Sequence, residues 1–256
     1  MLTNKVLLLT GASSGIGSSL MEYFIDKVQQ MITSNRKPLS KFLTIKPTPK
    51  NLDHLPLDLT IEESVQNLIQ HVLKEHGRLD VLINCVGGSL FSHPIEDFPM
   101  DEFDKVISLN FRSAFLLTKY AITAMKQNGD AGGNIVHFVS SSAKNISNHK
   151  APYGAAKAAL AHLIHYASSE CGKYNIKVNG ISPTYVFTPR HEREIQQKVQ
   201  ESGKKRDEIV DQILSHQILK KPMQSRDLIE VTELLATTEV ITGQIYNCSM
   251  GEILYY

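Results

Sequence analysis

The stretch Val6-Leu7-Leu8-Leu9-Thr10-Gly11-Ala12-Ser13-Ser14-Gly15-Ile16-Gly17 decides the fold. An apolar run from Lys5 to Thr10 meets a glycine turn and passes at once into an amphipathic stretch reaching about Val28, the pattern of strand, turn and helix. The same alternation recurs downstream. Gln30 to Thr33 is a second apolar run, ending at Ser34-Asn35-Arg36, and further strands are expected at Asp80 to Asn84, Asn134 to Val139, Ile176 to Ile181 and Gly243 to Asn247. Helical spacing fills the intervals. It covers Val65, Leu68, Ile69, Val72 and Leu73 after a capping box of Thr60 and Glu63, one long pattern over 101–127, Pro152 to Cys171 before Gly172, and Asp227 to Ala236. Pro38, Pro47, Pro49 and Pro56 break any regular helix through 37–56, the least regular part of the first half. Strands alternating with helices need right-handed crossovers, which predicts a doubly wound α/β fold: a parallel sheet between two helical layers, in one domain over 1–256.

The composition narrows the function. The chain has 256 residues, 27 basic against 26 acidic, for a net charge of +1. Nucleic-acid binding through the phosphate backbone needs clustered Lys and Arg, and no long basic run is present, so no nucleic-acid partner is expected. Cys85, Cys171 and Cys248 have no paired spacing, which fits a reducing compartment rather than a disulfide framework. No run approaches the roughly 18 apolar residues that span a bilayer. A soluble, cytoplasmic protein with no membrane partner is expected. His162 and His165 stand one helical turn apart without a third ligand at suitable spacing, so no metal is expected either.

A glycine turn between a first strand and its helix lets the backbone approach a pyrophosphate, whose charge then meets the helix N-terminal amides. Here Gly11, Gly15 and Gly17 supply the approach, Ser13 and Ser14 add hydroxyls, and Ile16 opens the helix. At the end of the second strand an Asp or Glu would accept from a ribose 2′-hydroxyl and repel a 2′-phosphate. Asn35 stands there instead, followed by Arg36, which favours NADP(H); the alternative is Arg36 as a solvated loop residue or one stacked on adenine. Tyr153 and Lys157 lie four apart in a helical segment, so both emerge on one face. An ammonium beside a phenol favours the phenolate and makes the tyrosine a usable acid or base.

With Asn84-Cys85-Val86-Gly87, Asn110, the serines 140–142 and Asn179 through Thr188 in this order, the chain resembles the short-chain dehydrogenase/reductase family over essentially its whole length. The resemblance implies a Rossmann-type fold and hydride transfer between nicotinamide and a ketone or secondary alcohol, as a carbonyl or 3-oxoacyl-type reductase. It implies that Tyr153 donates the proton and that Ser140, thirteen residues before it, holds the carbonyl oxygen, with Ser142 as fallback. It further implies that Lys157 would lower the tyrosine pKa and bond the nicotinamide ribose, that Asn110 would hold a water in a proton relay, that Asp58, with Leu59, would meet the adenine, that Asn84, Val86 and Gly87 would line the adenosine ribose, and that Pro183, Val186 and Thr188 would fix the carboxamide. A substrate lid is expected at about 188–222, with Phe187, Ile195 and Val199 toward substrate, and a homo-oligomer, tetramer or dimer, through the helices around Asn110 and Tyr153. The pattern departs from the family at Cys85-Val86, at Pro183-Thr184 and at Cys248-Ser249-Met250-Gly251. Other functions open to such a site are a nucleotide-binding regulator without turnover and a non-redox epimerase or dehydratase.

Overall fold

The computed structural model describes residues 2–254. Seven strands form one parallel sheet in the order β3-β2-β1-β4-β5-β6-β7: β1 Val6–Thr10, β2 Gln30–Asn35, β3 Leu52–Pro56, β4 Val81–Asn84, β5 Gly133–Phe138, β6 Ile176–Pro183 and β7 Ile245–Cys248. Strand order reverses between β1 and β4. Their C-terminal ends therefore flank the crevice where doubly wound sheets bind ligands. Pleating sends Leu7 and Leu9 to one face, packed with Leu20, Met21 and Phe24 of α1 (Gly15–Phe24), and Val6 and Leu8 to the other. That second face is covered by α2 (Glu62–His76), by α4 (Ser113–Met125), which follows α3 (Met100–Ile107), and by α5 (Ala151–Cys171). Both faces are thus sealed, as a central parallel sheet requires. Among the described residues no helix is long and apolar enough to cross a membrane.

Four local readings change. The proline-rich segment contains β3, paired to β2 from Met31↔Leu52 to Asn35↔Pro56. It is an edge strand of partly exposed residues, so no continuous apolar run announces it, and Pro56 closes its end where no donor is needed. α1 stops at Phe24 rather than Val28. The capping box of Thr60 and Glu63 does not form: α2 begins after Ile61, and Thr60 donates its amide and hydroxyl to Asp58 Oδ1 at 3.0 and 2.8 Å. The long helix over 101–127 is interrupted by a π-helical turn at Ser108–Arg112, centred on Asn110. The Asn110 amide donates to the Val106 carbonyl at 2.9 Å, inside the helical ladder, and such an insertion bends and widens a helix.

After β6 come α6 (Pro189–Ser202) and α7 (Arg206–Leu214), separated at Gly203, whose φ of +67° is the left-handed conformation that ends a helix. A last helix, α8 (Ile229–Thr237), precedes β7.

Candidate active site

A cleft of about 780 Å³ opens at the carboxyl ends of β1, β4, β5 and β6. Its floor is the first glycine turn, where Ser14 caps α1 by accepting from the Gly17 amide at 3.0 Å. Ser13, Ser14, Gly15 and Ile16 line it. The glycines create the space. A Cβ on Gly11, at φ +77°, would fall 2.8 Å from the Cys85 carbonyl group, and one on Gly17 would fall 2.2 Å from the Gly11 oxygen. Gly15 faces Thr188 across the cleft, with 2.6 Å left for any added carbon. Gly11 and Gly17 thus shape the turn from behind, without lining the cleft themselves.

On the opposite wall, β5 ends at Phe138 and the chain turns through Ser140, which is nearly buried and caps a short helical turn, its hydroxyl accepting from the Ser142 amide at 3.1 Å. Tyr153 and Lys157 enter from the first turns of α5, and both line the cleft with Ser140. Burial raises the Tyr153 phenol above its ordinary value, while a hydrogen bond with Ser140 and the charge of Arg190 act in the opposite sense. Ser140 is therefore the serine that reaches the phenol; Ser142 shares its hydroxyl with Ser147 at 3.0 Å. The expected action of Lys157 on the phenol is not what this arrangement shows. Lys157 Nζ lies 5.9 Å from the Tyr153 ring centroid and donates to the Phe138 carbonyl at 2.7 Å. Burial pushes the Lys157 pKa down to about 8.

Gly87 and Gly88 close the cleft beside this lysine. Gly87 has φ +152°, and a Cβ there would stand 2.8 Å from Asn110 Oδ1 and 2.9 Å from Lys157 Nζ. Asn110 accepts from the Gly88 amide and donates to the Gly88 carbonyl, both at 2.9 Å. The Asn110 side chain thus clamps this loop, with both Nδ2 hydrogens donated to backbone carbonyls, those of Gly88 and Val106.

The remaining residues divide clearly. Val86, Pro183, Val186 and Thr188 line the cleft; Asn35, Arg36, Asp58, Leu59, Asn84 and Asn110 do not. Leu59 is packed in the core. Asn84 is spent on structure: Oδ1 accepts from Thr10 Oγ1 at 2.8 Å and from the Val86 amide at 3.0 Å, and Nδ2 donates to His137 Nδ1 at 3.1 Å. Asn35 closes β2 with Oδ1 accepting from the Lys37 amide at 2.8 Å, while its buried Nδ2 has no hydrogen-bond partner among the described residues. Lys37, rather than Arg36, faces the cleft. Ile195 is fully buried, and Phe187 faces a separate, smaller cleft with Val210 and Pro222.

Lys37, Lys150, Arg190 and Glu252 were not singled out by the sequence. They come from segments far apart in the chain, Arg190 from the first turn of α6 and the others from outside the helices, and only Lys37, beside Arg36, lay next to a residue already singled out. Glu252 accepts from Thr184 Oγ1 and from Asn145 Nδ2, filling the region where Cys248-Ser249-Met250-Gly251 departs from the family pattern. Outside the cleft, Asp53, His71 and His76 gather on β3 and α2, their ligand atoms within 4.8 Å of one another, with His71 Nε2 2.5 Å from Asp53 Oδ2. His162 stacks edge-on with His165 and Tyr166.

A family model described as short chain dehydrogenase matches residues 5–199. The NAD-dependent glycerol dehydrogenase of Listeria innocua is 31% identical over 187 residues, 73% of this chain and 72% of that protein. The 7alpha-hydroxysteroid dehydrogenase of Bacteroides fragilis is 32% identical over 192 residues, 73% of each. The solved structure of ElxO with NADP bound superposes with a TM-score of 0.86 at 25% identity, over 98% of this chain and 99% of that one. With the glycine turn, Ser140, Tyr153 and Lys157 around one cleft at the strand-order reversal, the chain belongs to the short-chain dehydrogenase/reductase family of oxidoreductases, which act on the alcohol and carbonyl pair.

Proposed function

We propose that the protein is an NADP(H)-preferring carbonyl reductase or alcohol dehydrogenase. The observation that carries the reaction is the convergence of Tyr153, Ser140 and Lys157 on one cleft with the glycine turn. The cleft suits a dinucleotide: Gly15, Gly87 and Gly88 line it where a Cβ would crowd Thr188, Asn110, Lys157 or Arg190, and the N-terminus of α1 opens at its floor. A bound nicotinamide supplies or accepts a hydride at the substrate carbon. In reduction, Tyr153 gives its hydroxyl proton to the substrate oxygen and the Ser140 hydroxyl donates a hydrogen bond to that same oxygen, stabilising the charge that develops there. The tyrosinate is then reprotonated from solvent, and Lys157, released from the Phe138 carbonyl, is placed to hold the nicotinamide ribose.

The preference for NADP(H) rests on the tip of β2. Asn35, Arg36 and Lys37 stand there with no carboxylate among them, and Asn35 Nδ2 is an unspent donor. The named relatives point both ways, one NAD-dependent and one structure holding NADP. We further infer that α6 and α7 form the substrate lid over 188–222 and that the protein is a homo-oligomer through α4 and α5. Phe115, Ala155, Ala158, His162 and Tyr166 leave those helices exposed.

The test is turnover of a ketone panel with NADPH and NADH, followed by loss of reduced-nicotinamide absorbance. Tyr153→Phe should lose about 10²- to 10⁴-fold in kcat/KM while keeping nucleotide affinity. Replacing Arg36 and Lys37 together by alanine should erase the NADPH preference. A preference of the unaltered protein for NADH by tenfold would refute the cofactor reading, and nucleotide binding without turnover of any ketone would refute the enzyme.

A further inference from the structure

The part of the cleft facing Tyr153 across the lid is basic well beyond what the chain's net charge of +1 suggests. Six Lys or Arg side chains line the cleft against Glu194 and Glu252. Lys37 and Lys157 belong to the nucleotide reading above. The others gather at the lid. Arg190, Glu194 and Lys198 recur at intervals of four along α6, which sets them on one face, and that face lines the cleft. Lys150 stands opposite them, immediately before the first turn of α5 and three residues ahead of Tyr153.

Both carboxylates already hold protein partners, Glu194 within this cluster and Glu252 outside it. Glu194 accepts from Arg190 Nε at 2.9 Å, and Glu252 is held by Thr184 and Asn145. The rest of the Arg190 fork lies along the glycine loop: Nη2 donates to Ser89 Oγ at 3.4 Å, and Nη1 stands 2.7 Å from where a Cβ on Gly88 would be. Lys150 is half-buried, and among the described residues its ammonium makes no hydrogen bond or ion pair. Burial pulls its pKa below the ordinary lysine value, against Glu194 and helped by Lys198 and Arg190. Holding an unpaired ammonium out of water is costly unless a counter-charge arrives. The same cations influence Tyr153, since the Arg190 charge reaches the phenol. Lys150, Arg190 and Tyr153 line one cleft, so an anion bound here would share it with the reacting carbonyl.

We propose that the substrate is an oxo acid, or the hydroxy acid it interconverts with, whose carboxylate is held by Lys150 and Arg190, with Lys198 at the rim. This rests on Tyr153 being the proton donor to the substrate oxygen. A cluster serving the nucleotide phosphates instead is an outcome of the same experiment.

The test compares acetoacetate and levulinate with their methyl esters, and with dihydroxyacetone phosphate as a phosphate-bearing ketone, in the wild type and in Lys150→Met and Arg190→Gln. Calorimetry follows each acid binding to the nucleotide-loaded protein, and fluorescence follows the nucleotide Kd. The expected result is an acid over ester preference in kcat/KM of at least tenfold that collapses in Lys150→Met, with the nucleotide Kd changed by less than twofold. Equal turnover of acid and ester would overturn the anion site and leave the oxidoreductase reading standing. A preference for the phosphate ketone over both acids would overturn the carboxylate assignment, and a parallel loss of nucleotide affinity would reassign the cations to the nucleotide. Should no ketone be turned over, the oxidoreductase reading fails; calorimetry then decides the anion site, which is overturned if wild type and Lys150→Met bind the acids alike.

Discussion

Acid should unfold this protein partly through a histidine that never meets water. His137 on β5 is fully buried, its Nδ1 3.1 Å from Asn84 Nδ2 and its Nε2 2.9 Å from Thr118 Oγ1. Thr118 already donates its hydroxyl to the Ala114 carbonyl at 2.7 Å, so Nε2 must carry the ring proton and Nδ1 must accept from Asn84. A second proton on Nδ1 would face a donor. Burial, and secondarily the charge of Lys157, push the His137 pKa down to about 3. An unfolded histidine titrates near 6.5. Between these values the unfolded chain binds the proton and the folded one does not, so this stability is present above about pH 6.5 and is lost as pH falls toward 3. The slope approaches about 1.4 kcal/mol per pH unit, which gives a loss of about 2 kcal/mol between pH 7.5 and 5.0. Urea unfolding at several pH values should show the wild type losing about that much more than His137→Gln, whose side chain does not titrate, with m constant. Taking the difference cancels the other titrating groups. Parallel pH dependences for the two proteins would refute the reasoning.

Two other perturbations bear on the cleft directly. Gly87→Ala places a carbon against Asn110 Oδ1 and Lys157 Nζ at a φ of +152°, so kcat/KM should fall at least a hundredfold while circular dichroism still reports a folded protein; activity within threefold of wild type would show that the loop relaxes freely. Because burial holds Lys157 near 8, its charge is present below that pH and lost above it. Nucleotide affinity should therefore weaken as pH rises through 8, and a Lys157→Gln protein should lack that inflection; a flat wild-type profile up to pH 9 would count against it.

What could be read from the chain was whatever backbone chemistry writes locally. Gly11, Gly15 and Gly17 after an apolar run specify a turn that no other residues make, and Tyr153 with Lys157 share a helical face by spacing alone. β3 escaped because an edge strand with partly exposed residues has no buried run to display, and its proline mimics a break. The π-turn escaped because one extra residue barely disturbs hydrophobic periodicity on either side of it. Lys157 was read from its neighbour on the same helix, Tyr153, whereas its partner is the carbonyl of Phe138, at the end of β5. Arg190 from α6, Lys150 from the turn before α5 and Glu252 from beyond β7 reach the cleft from three separate segments, so nothing in their local sequence marks them.

The π-turn at Ser108–Arg112 has a consequence for how this chain can change its length. A wide turn is an α-helix carrying one surplus residue, so removing one residue there would restore regular bonding while leaving the helix on either side facing as it does now. Such a shortened protein would be expected to fold at least as well, since it sheds an irregular turn. It would also withdraw the Asn110 carboxamide from Gly88 and free the loop beside Lys157. The wide turn thus exchanges regular helical bonding for the position of one carboxamide against the glycine loop.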